Sequence, residues 1–427
     1  MNYSKLYDEE FKKRYGAYDT PSYIVDLMIR LTKIKNFSGL KVLEPACGLA
    51  PFSYAISRIK GKWDDIIGVE VDPDIASIVK QRYPEFNVRV GDYLLTDFQE
   101  KFDLVIGNPP YGIIGSESHY AISVFKQNKE IYKERFETWF GKYNIYGLFI
   151  EKGIKDLKED GILCFIIPAT WMILDEFKKL REFLAYSGRL EVYYLGKGIF
   201  EGLNVTTVIL IVRRGRKGLE LYDASDGQIT LNYSKNEYSG EIITFKTKLT
   251  EDLENKSCAK LGDLFEIKIS PRSPEIKSTQ FLLREKVNGA IPLLNGKNLT
   301  RNGIDYETCY SGYYIKPEDI GRLRKFFLKD RVVVGHTKGG KLIAAIDHKH
   351  YAWTGDVYHL IPKIGLYNWL STKSFSLEEL NHILNSKIMD CYMKDKYREI
   401  TPHTTKTQLN LLPLMSLDEL KALEKSL

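Results

Sequence analysis

From about Leu40 to Val212, short apolar runs alternate with longer amphipathic stretches. Lys41-Val-Leu-Glu44, Ile66-Ile-Gly-Val-Glu70, Asn87-Val-Arg-Val90, Phe102-Asp-Leu-Val-Ile106 and Gly161-Ile-Leu-Cys-Phe-Ile-Ile167 read as strands, as do Val192-Tyr-Tyr-Leu195 and Thr206-Thr-Val-Ile-Leu-Ile-Val212. Between them, stretches such as Tyr146 to Lys158 and Asp175 to Tyr186 read as helices. Buried strands alternating with helices predict an α/β domain whose mostly parallel sheet is covered on both faces. After Arg213-Arg-Gly-Arg-Lys-Gly218 the texture shifts to polar turns and shorter segments, with clusters such as Ser270-Pro-Arg-Ser-Pro-Glu275 and Asn295-Gly-Lys-Asn298. A boundary is expected between Thr244 and Asn255, dividing the chain into domains 1–245 and 246–427. No internal repeat or low-complexity tract interrupts either part.

Composition narrows the class only modestly. Of the 427 residues, 44% are hydrophobic and 28% charged, which fits folded domains and not a disordered chain. No apolar run approaches the ~18 residues of a membrane-spanning helix, and Met1 to Arg14 alternates charge with Tyr and Leu, unlike a secretory leader. The five cysteines are scattered, without a C-x-x-C pair, so reduced thiols in a cytoplasmic protein are expected and a metal site is not. A net charge of +6 permits nucleic-acid binding without establishing it.

The chemistry gathers at strand ends. Ligands of doubly wound sheets bind outside the carboxyl ends of the strands, where strand order reverses. The first strand runs into Glu44-Pro-Ala-Cys-Gly-Leu-Ala-Pro-Phe52, whose small residues at 46, 48 and 50 let backbone approach a ligand closely. It lacks a full G-x-G-x-x-G, and the chain has no P-loop, so phosphate binding is not indicated. The second strand ends at Glu70-Val-Asp72, where a carboxylate can accept both hydroxyls of a ribose. The third runs into Gly91-Asp92-Tyr93, where Asp92 suits an adenine amine and Tyr93 an apolar wall.

Asn108-Pro-Pro-Tyr111 follows the fourth strand and is the most specific signal in the chain. Two prolines stiffen the backbone and fix where the neighbouring carbonyl points. The Asn108 side-chain oxygen and the Pro109 carbonyl can then each accept one proton of a planar –NH2 group. That draws the nitrogen lone pair out of conjugation and towards an electrophile such as a methyl sulfonium. Tyr111 offers a ring face on which a planar substrate can stack.

These residues form a recognisable set, and the chain resembles the S-adenosylmethionine (SAM)-dependent amino-methyltransferases, the TaqI-type adenine-N6 DNA methyltransferases in particular. The likeness takes in Tyr18-Asp-Thr-Pro21, Val42-Leu-Glu-Pro-Ala-Cys47, Gly68-Val-Glu-Val-Asp-Pro73, Asn108-Pro-Pro-Tyr-Gly112, Gly141-Lys-Tyr-Asn144, Ile167-Pro-Ala-Thr-Trp171 and Val192-Tyr-Tyr-Leu-Gly196. It continues in Leu261-Gly-Asp-Leu-Phe265, Arg272-Ser-Pro-Glu275, His336-Thr-Lys-Gly339 and Pro402-His403, and so covers nearly the whole chain. The resemblance implies a Rossmann-like SAM-dependent methyltransferase domain followed by an α+β target-recognition domain, the gamma order of motifs. It implies that Thr20, Glu44, Ala46, Glu70, Val71, Asp92, Tyr93 and Pro110 contact SAM. Asn108, Pro109 and Tyr111 would hold the target adenine, and Phe200 would supply a second ring facing it. One departure is that relatives place a glycine where this chain has Ala50, whereas here the glycine is Gly48.

Such an enzyme must flip its adenine out of the duplex, at a cost of a few kcal/mol, and recover that cost through base stacking, phosphate contacts and base readout. The C-terminal half interleaves basic residues with Asn, Thr and Tyr, and Arg272, Lys338 and Lys406 are its expected DNA contacts; Arg272 and Lys338 lie in loops suited to reading guanine. The resemblance implies a TCGA-like site in double-stranded DNA and pairing with a restriction endonuclease in a prokaryotic cytoplasm, and a monomer is expected, since hemimethylated sites can be modified one strand at a time. The –NH2 clamp alone also serves enzymes acting on cytosine N4, an RNA base or a protein glutamine, and a DNA-binding subunit with a decayed catalytic domain would retain the fold. The intact Asn108-Pro-Pro-Tyr111, with Glu44, Glu70 and Asp92, speaks against decay.

Overall fold

The apolar runs of the first half all become strands of one sheet. The computed structural model describes residues 14–114, 121–141, 143–335, 341–363, 376–398, 400–401 and 403–425. The chain divides between Thr244 and Phe245 into two compact units.

In the first unit nine strands, β1 (Val42–Pro45), β2 (Ile66–Glu70), β3 (Asn87–Val90), β4 (Phe102–Gly107), β5 (Leu157–Pro168), β6 (Arg189–Gly196), β7 (Thr207–Arg213), β8 (Leu219–Asp223) and β9 (Thr230–Lys235), lie in the order β9-β8-β6-β7-β5-β4-β1-β2-β3. The run from β3 through β2, β1 and β4 to β5 is parallel; β7 inserts antiparallel between β5 and β6. β1 and β7 are buried along their whole length, which is why they read as unbroken apolar runs. β8 and β9 extend the sheet past the region where strands were expected. β9 is a half-exposed edge strand, without the apolar signal that burial imposes.

Helices α1 (Ser22–Leu31), α2 (Pro51–Lys60), α3 (Pro73–Arg82), α4 (Lys129–Arg135) and α5 (Tyr146–Asp156) connect and cover these strands. Pro51 and Pro73 open their helices at the position where a missing N–H costs nothing. Asp72 caps α3 by accepting from the amides of Asp74 (2.9 Å) and Ile75 (3.1 Å). Arg213, paired with buried Glu191 (2.6 Å), donates to the carbonyls of Leu31 and Thr32 and so ties the C-terminal end of α1 to the sheet. β1 is flanked by β2 on one side and β4 on the other, so strand order reverses there and a crevice opens at the carboxyl ends of β1, β2 and β4.

The second unit holds a four-stranded antiparallel sheet. Its strands β10 (Phe265–Ile269), β11 (Val332–Gly335), β12 (Ile343–Ile346) and β13 (Val357–Pro362) lie in the order β10-β13-β11-β12. A core of Leu293, Leu294, Phe327, Val333 and Trp353 packs about it. Arg331, fully buried, pairs with Asp347 (2.5 Å). Among the described residues no helix is long and apolar enough to cross a membrane.

Candidate active site

The crevice at the carboxyl ends of β1, β2 and β4 is a pocket partly open to solvent. Three strand ends and the segment before α1 build it. Glu44, on β1, turns into the N-terminal end of α2 and accepts the amides of Phe52 (3.3 Å) and Ser53 (2.7 Å). Glu70, on β2, accepts the amides of Gly48 (2.8 Å) and Asp72 (2.9 Å). Burial pushes the Glu44 carboxyl up to about 8 and that of Glu70 up to about 7, against the pull of these amides. The loop joining β1 to α2 carries left-handed backbone at Ala46, Gly48 and Ala50, with φ of 51°, 51° and 61°. Only the glycine adopts that conformation freely; each alanine costs about 1 kcal/mol. Ala46 and Ala50 therefore hold positive φ under strain, and position 50 is where the resemblance leads a glycine to be expected.

Asn108 stands at the end of β4, beside the pocket. Its Nδ2 donates to the carbonyl of Tyr18 (3.0 Å) and to Oγ1 of Thr20 (3.1 Å). That pairing fixes the amide's orientation and leaves Oδ1 buried with no hydrogen-bond partner. Buried acceptors are rarely left open in a folded protein except where something else is to be bound. Three aromatic rings gather next to it. Tyr18 stacks on Tyr111 at 5.9 Å and 27°, Phe200 meets Tyr111 edge-on at 5.9 Å, and Tyr18 and Phe200 lie 6.1 Å apart. The Tyr111 hydroxyl donates to the carbonyl of Ile166 (3.0 Å), and its backbone amide to that of Gly16 (2.8 Å).

Thr20, Glu44, Ala46, Glu70, Val71, Asn108 and Pro110 all line the pocket. Pro109, Tyr111 and Phe200 are buried beyond its lining, with Tyr111 and Phe200 forming the aromatic group. Asp92 and Tyr93 are not among the lining residues. The Asp92 carboxylate is engaged by Asn128 (3.1 Å), by the Tyr132 hydroxyl of α4 and by the amide of Leu94. Tyr93 is a core residue, packed on Phe149 and donating to Asp156 (2.9 Å). The sequence reading missed Tyr15, Tyr18, Asp19, Phe52 and Phe125 as pocket residues. Tyr15 bonds Asp72 (2.5 Å), and burial, reinforced by that partner, raises its hydroxyl to about 12. One signal was available: Gly16, between Tyr15 and the Tyr18 motif, has φ +65°, and any Cβ there would collide with the Tyr111 carbonyl.

In the second unit Arg272 is exposed and faces Asp356 (3.1 Å). Its loop is anchored from behind, because the Pro271 carbonyl accepts from Thr354 Oγ1 (2.8 Å) and the Gly355 amide (2.9 Å), and Ser270 Oγ bonds His359 Nε2 (2.7 Å). Lys406 is exposed at the start of the short helix Lys406–Asn410. Lys338 lies outside the described residues.

Comparison with known proteins adds the following. Residues 54–200 match the Eco57I restriction-modification methylase family, and residues 291–414 the TaqI-like C-terminal specificity domain. The chain is 42% identical over 404 residues to the type II methyltransferase M.TthHB8I of Thermus thermophilus, covering 94% of this chain and 91% of that one. It is 31% identical over 254 residues to the modification methylase CviBIII of Paramecium bursaria Chlorella virus NC1A, covering 58% of this chain and 63% of the viral one. Among solved structures, a nuclease-deletion mutant of the type ISP restriction-modification enzyme LlaGI, in complex with a DNA substrate mimic, superposes with a TM-score of 0.57 at 13% identity. That likeness covers 96% of this chain and 54% of the larger one, and at such identity it speaks for the fold alone.

Proposed function

Because this chain belongs to the type II DNA methyltransferases of restriction-modification systems, we propose that it transfers a methyl group from SAM to the N6 amine of an adenine flipped out of duplex DNA, in the manner of the TaqI-type enzymes. The observation that carries this reading is the Asn108 amide, whose Nδ2 is held by Tyr18 and Thr20 while its Oδ1 is buried with no partner. An acceptor so placed calls for an N–H donor, and an exocyclic amine supplies one. The Pro109 carbonyl accepts a hydrogen bond from the second N–H, so the nitrogen lone pair turns out of the ring plane.

We assign SAM to this pocket: Glu70 would take the ribose hydroxyls and Phe52 and Ile75 the adenine ring, with Thr20, Ala46, Val71 and Pro110 completing the lining. SAM supplies an electrophilic methyl whose departure leaves a neutral thioether, so N6 needs no strong base and releases its proton to solvent. Tyr111 and Phe200 provide stacking surface for the flipped base, and Tyr18 must shift from the Tyr111 face for a base to stack there. We assign base readout to the second unit, with Arg272 the group suited to a guanine edge, Lys338 and Lys406 as further contacts, and a TCGA-like palindrome as the site. A monomer suffices, since each strand of a palindrome can be modified separately, and a cognate endonuclease would share the site.

The test is transfer of labelled methyl from SAM to unmethylated duplex DNA, with mapping of the modified base. Methyl on adenine N6 in one short recurring sequence is expected, and Asn108→Ala should abolish transfer while retaining SAM binding. Methylated cytosine, RNA or protein in place of adenine would keep the amine clamp and overturn the substrate. Normal DNA methylation by the Asn108→Ala protein would overturn the clamp.

A further inference from the structure

The pocket is charged in one sense only. Its lining carries the carboxylates of Asp19, Glu44 and Glu70, and no Lys, Arg or His among the described lining residues. The three acids are not equivalent. Glu44 and Glu70 are each engaged by two backbone amides, which disperse their charge. Asp19 has no cationic partner among the described residues, and only the amide of neighbouring Thr20 stands by it.

Its position follows from its neighbours. Tyr18 accepts from Asn108 Nδ2 through its backbone carbonyl and Thr20 through its hydroxyl, so the residue between them is fixed beside the amide that would clamp the target amine. In the methyl-transfer reading, on which this inference rests, the transferred carbon lies within bonding reach of that amine, and the sulfur one bond beyond it. Donor and product differ there and almost nowhere else. The donor's sulfur is a cation; the product's is a neutral thioether. An anion near that atom stabilises the first and has little effect on the second.

We propose that Asp19 sets the preference of this pocket for the sulfonium donor over its thioether product, and thereby eases product release once the charge has gone. Asp19 acts on binding discrimination and performs no step of the transfer. Removing one exposed charge from the lining corresponds to a loss of about tenfold in affinity for the cation.

The experiment is calorimetric titration of the full chain with SAM and with S-adenosylhomocysteine, for the unsubstituted protein, Asp19→Asn and Asp19→Glu. The unsubstituted protein should favour SAM. Asp19→Asn should lose about tenfold for SAM and under about threefold for the product, and Asp19→Glu should restore the preference. Equal losses for both ligands, or no change for either, would overturn the proposal while leaving the cofactor reading intact. Failure of the unsubstituted protein to bind either ligand would remove the cofactor reading, and this proposal with it.

Discussion

Two buried polar clusters, one in each unit, are built in opposite ways. In the first unit's pocket, Asn108 holds a buried oxygen with no partner, and Glu44 and Glu70 sit where burial makes them reluctant to accept their charge. In the second unit, the cluster around Arg331 satisfies itself, although the buried Tyr397 hydroxyl elsewhere in that unit has no partner among the described residues. Arg331 donates to Asp347, to the carbonyls of Phe327, Lys329 and Tyr351, and through Nε to His359 Nδ1 (3.1 Å). Asp347 also accepts from Trp353 (2.9 Å) and Tyr306 (3.0 Å). Because Arg331 donates to Nδ1, the His359 proton sits on Nε2 and is given to Ser270; burial, then the nearby Arg331, hold the ring well below its usual titration range. At the pocket the open valence of Asn108 marks where a ligand is to come, and the saturated Arg331 cluster is scaffold. In this second unit the scaffold ends at Ser270, directly behind the Arg272 loop.

The largest effect should come from breaking the saturated network. Arg331→Met leaves the Asp347 carboxylate buried beside Trp353 without its cation, and losing one partner of a buried pair costs about 3–5 kcal/mol. Denaturant unfolding of the full chain, followed by Trp fluorescence, should show that loss. A change below about 1 kcal/mol would mean that the pair behaves like a surface bridge, and the contrast between the units would collapse.

The first unit should instead lose function by small displacements. Gly16→Ala places a methyl against the Tyr111 carbonyl at a left-handed position, so Tyr111 and the Asn108-Pro-Pro turn must move. Misplacement by about 1 Å commonly costs about 100-fold in rate. Single-turnover methyl transfer should fall by that factor, and an unchanged rate would show that the segment before α1 is not a wall of the active site.

The same contrast explains what was legible in the sequence. Strands buried on both faces are continuous apolar runs, so β1, β2 and β4 and the Glu44, Glu70 and Asn108 at their ends were readable directly. Asp92 was read as a third ligand-facing acid because it too ends a strand. Its engagement by Asn128 and Tyr132 depends on a helix that packs back from much later in the chain, and no periodicity announces that. Phe125 joins the pocket from the turn before that helix, and Tyr15 and Tyr18 from the segment before α1, where no periodicity marks them. In the second unit the strands are short, from four residues in β11 to six in β13, and the polar network joins residues from 270 to 359. Sequence reported the change of texture there but not its architecture.

The smallest effect is one of pH, and it bears most directly on the contrast. Burial raises Glu44 to about 8 and Glu70 to about 7, so near neutrality the free protein holds protons on these carboxyls part of the time. A cation in the pocket favours their ionised forms. Below those values each binding event must expel a proton, so affinity for SAM should rise from pH 6 towards pH 8.5 and then level. A gain of about tenfold is expected for one fully coupled group per pH unit below its pKa. The heat of SAM binding should vary with the ionisation enthalpy of the buffer, since protons leave. A flat profile would mean that the amides of Phe52, Ser53, Gly48 and Asp72 outweigh burial and keep both carboxylates ionised. Glu44 and Glu70 would then be as fully satisfied as the Arg331 network of the second unit, and the open valences of the pocket would reduce to Asn108 and Asp19.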